Sequence, residues 1–178
     1  ALANPIDRKP PADQAELSEL VANILDNFKT FIEEQRGWEL LWNTGDSEKP
    51  ESAVQLLFLG MTRYYLAQFD IEVDREVELG RGPVDFKLSC GTSKKLLIEI
   101  KKVHNGKFWN GLEAQLASYM TSDGASEGWF VAVRYRDNKT SERRVKELPE
   151  RVRALNNDLK HFKYFVIDAR PKLSASKL

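Results

Sequence analysis

The sequence contains a single cysteine, Cys90, and two histidines, and its 178 residues carry a formal net charge of zero. One cysteine excludes a disulfide framework, and so few thiol and imidazole groups exclude a structural zinc site of the usual type. The longest apolar run, Val54–Met61, is far shorter than the roughly 20 residues that a membrane-spanning helix needs. No apolar signal core lies near the first residue, so we expect a cytoplasmic protein whose chemistry depends on carboxylates, lysines or hydroxyls.

Acidic and basic residues are distributed unevenly along the chain. Residues 1–80 hold 16 acidic and 7 basic residues, a net charge of −9, whereas residues 134–178 hold 6 acidic and 13 basic residues, a net charge of +7. The stretch between them has a net charge of +2. This asymmetry favours a basic half that faces a polyanion and an acidic half that faces solvent or a partner, although basic tails can also serve only to solvate a chain.

The chain divides into an N-terminal extension and a larger domain. Three prolines within residues 1–11 predict a linker, and an apolar stripe from Leu17 to Ile32 with a period of 3.6 predicts a helix capped by Asp13. We therefore expect a linker and helical extension over residues 1–46 and a second domain over residues 47–178. Because the first residue is not methionine, we also expect a fragment or processed form of a longer protein.

The second domain alternates between helical and strand patterns. Apolar periodicity predicts helices over residues 51–67, 109–121 and 142–158, the last broken at Pro149. Alternating or continuous apolar runs predict strands over residues 71–79 (with a break near residues 74–75), 84–89, 95–102, 128–135 and 164–168. The order predicts an α/β fold with a mixed β-sheet flanked by helices, in which residues 128–135 are buried on both faces.

Two carboxylates and one lysine are expected to converge where the second and third strands form a hairpin. Asp85 lies near the start of the second strand, and Glu99 and Lys101 flank Ile100 in the third. Side chains at i and i+2 share one face of a strand, so Glu99 and Lys101 point the same way. Buried charges must pair or bind a metal, so the pattern favours either a hard-cation site or a salt bridge between Lys101 and one carboxylate.

Magnesium is the cation that such a site would take. Mg²⁺ prefers oxygen ligands and keeps several waters, and Mn²⁺ can substitute for it. Asp85, Glu99 and the carbonyl of Ile100 would supply three oxygens. Lys101 would then orient or deprotonate an attacking water, or stabilise the charge on a phosphoryl transition state.

This arrangement resembles the PD-(D/E)xK nuclease superfamily. The motif stands as Pro83-Val84-Asp85, thirteen further residues and Glu99-Ile100-Lys101, with Val84 as one extra residue between proline and aspartate. The preceding helix offers an acid of the kind that assists the metal in that superfamily, Glu51 first and Glu48 second. Gln115 and Tyr119 are similar to the QxxxY element of RecB-like members. The resemblance covers about residues 47–135.

The resemblance implies a restriction-endonuclease-like fold and a metal-dependent phosphodiesterase, an endonuclease rather than an exonuclease, with DNA preferred over RNA. The segment GRGPVDF at residues 80–86 and the later helical pattern KxxNGLxxQLxxY at residues 107–119 are similar to nuclease domains of bacterial defence and mobile-element proteins. It further implies that Asp85 and Glu99 bind Mg²⁺, that Glu51 contacts the metal through water, and that Gln115 holds Lys101 or a substrate phosphate. Simpler interpretations make Glu51 a helix N-terminal acid and Gln115 a cap on the sheet surface.

Several basic and aromatic side chains are candidate contacts to nucleic acid. The first choices are Arg81, Lys102, Lys107 and Tyr119, although Tyr119 is more simply a core residue. A wider phosphate-tracking surface would include Arg134, Arg136, Lys139, Arg143, Arg144 and Lys146.

The mixed charge predicts modest affinity, so we expect a homodimer or a fused domain to supply tight binding. The competing hypothesis is a non-catalytic module on the same fold that binds nucleic acid or protein. His104 is expected at the surface, because no nucleophile lies near it in the sequence.

Overall fold

The computed structural model describes residues 8–78 and 83–172. Helix α1 (Gln14–Glu33) is followed by a 3-10 turn (Gly37–Leu41) and helix α2 (Glu51–Ala67). The strands are β1 (Glu72–Glu78), β2 (Pro83–Cys90), β3 (Lys94–Lys102), β4 (Glu127–Arg134) and β5 (His161–Asp168). A helix in three parts joins β3 to β4, namely α3 (Phe108–Asn110), a π-helical segment (Gly111–Leu116) and α4 (Ala117–Asp123), and helix α5 (Lys139–Leu155) joins β4 to β5.

The five strands form one sheet in the order β1-β2-β3-β4-β5. The first three strands are antiparallel neighbours because short connections join them, whereas β4 and β5 run parallel to β3 because helices cross over between them. The predicted α/β class, a mixed sheet flanked by helices, is therefore confirmed. The more specific restriction-endonuclease-like fold stays a prediction.

Helices cover both faces of the sheet and divide the interior into two cores. In the first core, on one face, α1 and α2 pack against Phe86, Ile98 and Ile100. In the second core, on the other face, the helix that joins β3 to β4 and helix α5 pack against Leu97 and Phe130. Strand β4 is buried on both faces, as its continuous apolar sequence predicted. Because each fully buried Leu or Phe contributes about 1.5–3 kcal/mol, these layers hold the central strands firmly.

Helix α1 shares the first core with the sheet. Asp13 caps the helix as predicted, since its Oδ1 accepts a hydrogen bond from the backbone N–H of Glu16 at 2.9 Å. The 3-10 turn that follows leads to Trp42, whose indole Nε1 donates to the carbonyl of Ala169 at 2.7 Å. This bond ties the start of the chain to the residues after β5, so the expected extension lies on the sheet. The first seven residues of the predicted linker and the turn around Arg81 lie outside the described residues.

Helix α5 differs from the sequence expectation in one respect. It begins at Lys139 and continues through Pro149, where a break was predicted. A proline removes one backbone hydrogen bond from a helix. However, Leu148 and Val152 on either side of that position are buried in the second core, and their packing holds the helix together across the missing bond.

Candidate functional site

The candidate site lies where β2 and β3 separate. Their pairing ends at Phe86 opposite Ile98, one step before Asp85 would face Glu99. The side chain of Asp85 spans the opening, and its Oδ2 accepts a hydrogen bond from the backbone N–H of Ile100 at 2.7 Å. A carboxylate thus takes the place that a backbone carbonyl holds in a regular ladder.

Strand β1 is also interrupted opposite Asp85. Arg75 pairs with Phe86 and Val77 pairs with Val84, but Glu76 between them has a φ of 55°. This left-handed backbone is uncommon for a residue with a side chain, and such strain is concentrated at functional sites. The break lies one residue after the two positions, 74 and 75, near which the sequence predicted it.

The first turns of α2 supply two further side chains to the same point. Glu51 and Gln55 are four residues apart and therefore share one face of the helix. Gln55 Nε2 donates to Asp85 Oδ1 at 2.8 Å. Glu51 Oε2 accepts from the backbone N–H of Lys102 at 2.9 Å, and its Oε1 lies 3.3 Å from Lys101 Nζ. The beginning of α2 is therefore fastened to the end of β3.

Glu99 and Lys101 complete the group, which we call the carboxylate centre (Glu51, Asp85, Glu99 and Lys101). They point to the same face of β3, and Lys101 Nζ lies 3.1 Å from Glu99 Oε1. Glu99 is 2% exposed, and its Oε2 is buried without a hydrogen-bond partner. A buried carboxylate oxygen without a donor is costly, which makes this atom the least satisfied acceptor of the centre.

Burial and mutual repulsion change the proton affinity of both inner carboxylates. Desolvation, followed by the nearby charge of Asp85, raises the pKa of Glu99 to about 8. Desolvation likewise raises the pKa of Asp85 to about 6, although the Ile100 N–H, Lys101 and Gln55 oppose the change. These shifts favour a protonated Glu99 at neutral pH in the metal-free protein, and a bound cation would displace that proton.

Lys101 stays positively charged in this arrangement. Burial alone would lower its pKa, but the charges of Glu99, Glu51 and Asp85 outweigh burial and raise the pKa above its ordinary value. Its alkyl chain rests against Gly111 in the π-helical segment, where an added Cβ would lie 3.1 Å from Lys101 Cε. Glycine at that position lets the helix approach the lysine closely.

Gln115, which the sequence predicted to hold Lys101, does not contact it through a hydrogen bond. Gln115 belongs to the π-helical segment one turn after Gly111, and its side-chain oxygen is buried without a partner in the described part of the chain. The π-helical segment was not predicted, because the sequence analysis gave one continuous helix over residues 109–121; such segments occur often at functional sites.

The predicted nucleic-acid contacts are placed in three different environments. Lys107 is exposed in the connection after β3. Lys102 is 8% exposed, and its Nζ bonds to the carbonyl of Lys49 at 2.5 Å, so it presents no free ammonium group. Tyr119 is fully buried in the second core, where its side chain cannot reach a nucleic acid. Arg81 lies outside the described residues.

A second polar cluster, which the sequence did not reveal, lies on the opposite face of β3. Glu48 Oε1 lies 2.7 Å from His104 Nε2 and 2.8 Å from Arg136 Nη2. His104 was expected at the surface, but its side chain is only 12% exposed and burial lowers its pKa. Buried atoms without partners include Glu48 Oε2, His104 Nδ1 and the hydroxyl of Tyr135. A histidine two residues beyond a strand carries no sequence signal of such burial.

No three His, Cys, Asp or Glu side chains within residues 8–78 and 83–172 are grouped closely enough to hold a metal ion together. The hydrogen bonds explain this, since both oxygens of Asp85 and of Glu51 already accept from protein donors. Asp85, Glu99 and the Ile100 peptide still fit a hard cation that completes its shell with water. The unpartnered Oε2 of Glu99 is the atom that favours this fit.

Comparison with known proteins gives one match. A family model described as Domain of unknown function (DUF8371) matches residues 17–137, more than half of the chain. The matched segment includes every residue of the carboxylate centre. No curated protein and no solved structure matches the chain. Of the helices in the described ranges, none is long and apolar enough to cross a membrane.

Proposed function

We propose that the chain, which belongs to the DUF8371 family, is a divalent-metal-dependent nuclease that hydrolyses phosphodiester bonds, with DNA as its expected substrate. The observation that carries the proposal is the state of Glu99. A carboxylate that is 2% exposed, beside a second carboxylate and with one oxygen unpartnered, is unfavourable in the protein alone. A cation would relieve all three problems at once.

The donor set defines the chemistry. Asp85 and Glu99 would hold Mg²⁺ or Mn²⁺ together with the Ile100 carbonyl, and Glu51 would reach it through water. A bound cation would supply positive charge to a phosphate and would lower the pKa of an attacking water. These ligands are all oxygens, and an all-oxygen set favours Mg²⁺ over softer metals.

Lys101 would act as a hydrogen-bond donor and a positive charge. Its raised pKa keeps the ammonium protonated, so the group is suited to orient a water or to stabilise the transition-state charge. Glu99 and Glu51 hold it from two sides at 3.1 and 3.3 Å. Gln55 fixes the orientation of Asp85 and is therefore a positioning residue.

A non-catalytic binding module is the competing function, and one observation favours it. Both oxygens of Asp85 and of Glu51 are satisfied by protein donors, as they would be in a centre that only holds β2, β3 and α2 together. The two functions differ in what happens to the protein when divalent cations are added.

The test is cleavage of supercoiled plasmid, linear duplex, single-stranded DNA and RNA with Mg²⁺, Mn²⁺ or EDTA. We expect Glu99→Gln and Lys101→Ala to lower the rate by about 10²–10⁴-fold, because the first removes a metal ligand and the second removes the positive charge that orients the water or stabilises the transition state. Glu127→Gln is the matched control, since Glu127 is equally buried in β4 but lies away from the carboxylate centre.

The same proteins are also tested for a shift of the melting temperature with Mn²⁺. Metal-dependent stabilisation should occur in the wild type and in Glu127→Gln, but not in Glu99→Gln, because a ligand that binds only the folded state stabilises it. A wild-type protein that is folded, cuts no substrate and gains no stability with either metal would refute the nuclease and leave the binding module.

A further inference from the structure

Helix α5 presents a row of basic side chains that pair with nothing. The row, which we call the α5 stripe, faces away from the buried side of the helix formed by Ser141, Leu148 and Val152. Its members are exposed, and within the described chain their side chains have neither an ion pair nor a hydrogen bond. They are Lys139, Arg143, Lys146 and Arg153.

Basic residues elsewhere on α5 are used internally. Arg144 Nη1 donates to the carbonyls of Val103 and Asn105 at 2.6 and 2.8 Å. Arg151 lies 2.7 Å from Glu113 and stacks over Trp109. These contacts fasten α5 to the connection after β3 and to the helix that follows it. The α5 stripe is thus displayed on a rigidly held helix.

The first half of the stripe brings like charges together. Lys139 and Arg143 are four residues apart and Lys146 is three further on, so these cations repel one another, whereas exposed Glu150 lies between Lys146 and Arg153 on the same side and offsets the charge there. Lys139 also stands at the first position of α5, where the helix dipole disfavours a cation. An anionic partner would convert this repulsion into attraction.

The position of the stripe connects it with the carboxylate centre. Strand β4 runs parallel to β3, with Ala132 opposite Lys101. The carboxyl ends of both strands therefore meet at one edge of the sheet, and α5 begins four residues after Tyr135, the residue that follows β4. Lys107, which is exposed, lies in the connection that follows β3.

We propose that the α5 stripe binds the phosphate backbone of the nucleic acid on which the carboxylate centre acts, an inference that rests on the proposed function. From Lys139 to Arg153 the stripe extends about 21 Å at 1.5 Å per residue, long enough to follow several phosphates. A membrane surface fits less well, because the apolar side of α5 is buried in the second core and cannot insert. On the far edge of the sheet, exposed Glu72 and Asp74 would repel a polyanion.

The experiment measures binding of a labelled DNA oligonucleotide, single-stranded and duplex, in EDTA over a series of KCl concentrations. The variant combines Lys139→Gln, Arg143→Gln and Lys146→Gln. The matched control combines Lys9→Gln, Arg63→Gln and Lys94→Gln, which removes three cations that also have no ion pair or side-chain hydrogen bond to residues 8–78 or 83–172 but lie away from α5. Urea unfolding verifies that both variants are folded.

We expect the stripe variant to bind more weakly and to lose about 2–3 from the slope of log affinity against log salt, since each phosphate contact contributes about 0.7–0.9. The control should keep the wild-type slope. Equal slopes in all three proteins, or no binding by the wild type, would overturn the proposal. So would a stripe variant that loses binding to phosphatidylserine vesicles but keeps its affinity for DNA.

Binding in EDTA separates this proposal from the nuclease. A wild type that binds DNA through the stripe but cuts nothing with any metal refutes the nuclease and leaves the stripe as a binding surface. A wild type that cuts, with the stripe variant unchanged in KM and in salt slope, refutes the stripe alone.

Discussion

Two glutamates are buried in the same sheet, and they are held in opposite ways. Glu127 in β4 is 4% exposed, and its Oε1 accepts from Ser18 Oγ at 2.7 Å and from Trp129 Nε1 at 2.6 Å, while its Oε2 accepts from Gln14 at 3.2 Å. Glu99 in β3 is 2% exposed, contacts Lys101 through one oxygen, and leaves the other unpartnered.

The difference lies in the neighbours. Glu127 is surrounded by donors, with Lys163 at 3.5 Å, and it fastens α1 to the sheet. Glu99 is desolvated and lies beside the carboxylate of Asp85, and burial followed by that charge raises its pKa, although Lys101 and the backbone N–H of Asp85 oppose the change. A buried acid supplied with donors on both oxygens is typical of a structural tie, whereas a buried acid crowded by acids is typical of a site that awaits a cation or a proton.

The largest expected effect is on the structural glutamate. Replacing Glu127 by alanine should lower the free energy of unfolding by about 2–4 kcal/mol, because the donors of Ser18 and Trp129 would lose their acceptor inside the core. Urea denaturation measures it. Glu127→Gln should lose less, since an amide oxygen still accepts from both donors. A fully stable Glu127→Ala protein would show that the tie is unimportant.

Replacing Glu99 should change the free energy of unfolding in the opposite direction. Glu99→Gln should raise the free energy of unfolding of the metal-free protein by about 1–3 kcal/mol at neutral pH, because the variant no longer needs a proton to fold. Urea denaturation in EDTA measures it. A destabilised Glu99→Gln protein would place Glu99 in the same class as Glu127.

The pH profile sharpens the same contrast. The unfolded chain releases the proton of Glu99 near pH 4.5 and the folded chain near pH 8, so folding takes up a proton between these values. The stability of the wild type should therefore fall as the pH rises from about 5 to 8, with Asp85 contributing up to about 6. His104, whose pKa is lowered, contributes the opposite slope below its ordinary pKa of 6.5.

Measuring the difference between the wild type and Glu99→Gln removes the contribution of His104. That difference should grow with pH across the window and level off above pH 8. A difference that does not change with pH would contradict a raised pKa at Glu99.

The smallest expected effect concerns the support of Lys101. Gly111→Ala should lower the cleavage rate by about tenfold with little change in KM, because the added Cβ displaces the lysine stem. Gly60→Ala is the control, since its Cβ would meet open space on α2 and should only stabilise the helix by about 0.5–1 kcal/mol. Equal rates for the two variants would show that the lysine adapts freely.

Much of the scaffold could be predicted from the sequence, and the reason is local. The alternation over residues 71–79, the capping Asp13 and the continuous apolar run of β4 each depend on a short stretch of chain. Pro149 was misleading because the packing of Leu148 and Val152, which lies in tertiary contacts, outweighs one missing hydrogen bond. The π-helical segment was not predicted either, because it too depends on tertiary contacts.

The candidate site was predictable in its members and unpredictable in its state. The period of two along β3 put Glu99 and Lys101 on one face, and the spacing of four along α2 put Glu51 with Gln55. The local sequence did not indicate which lysine keeps its ammonium group free of protein partners in the described chain. Lys102 and His104 became buried because Glu48 and Tyr135, distant in sequence, close over them.

The sequence by itself determined which side chains share a face of a strand or a helix, because strand and helix periods fix the faces of neighbouring residues. The tertiary structure alone decided how those groups are charged and which of them lack partners. Proton affinity depends on desolvation and on charges brought together across β2, β3 and α2. The same packing leaves Glu127 satisfied and Glu99 with a buried oxygen that no donor of the described chain reaches.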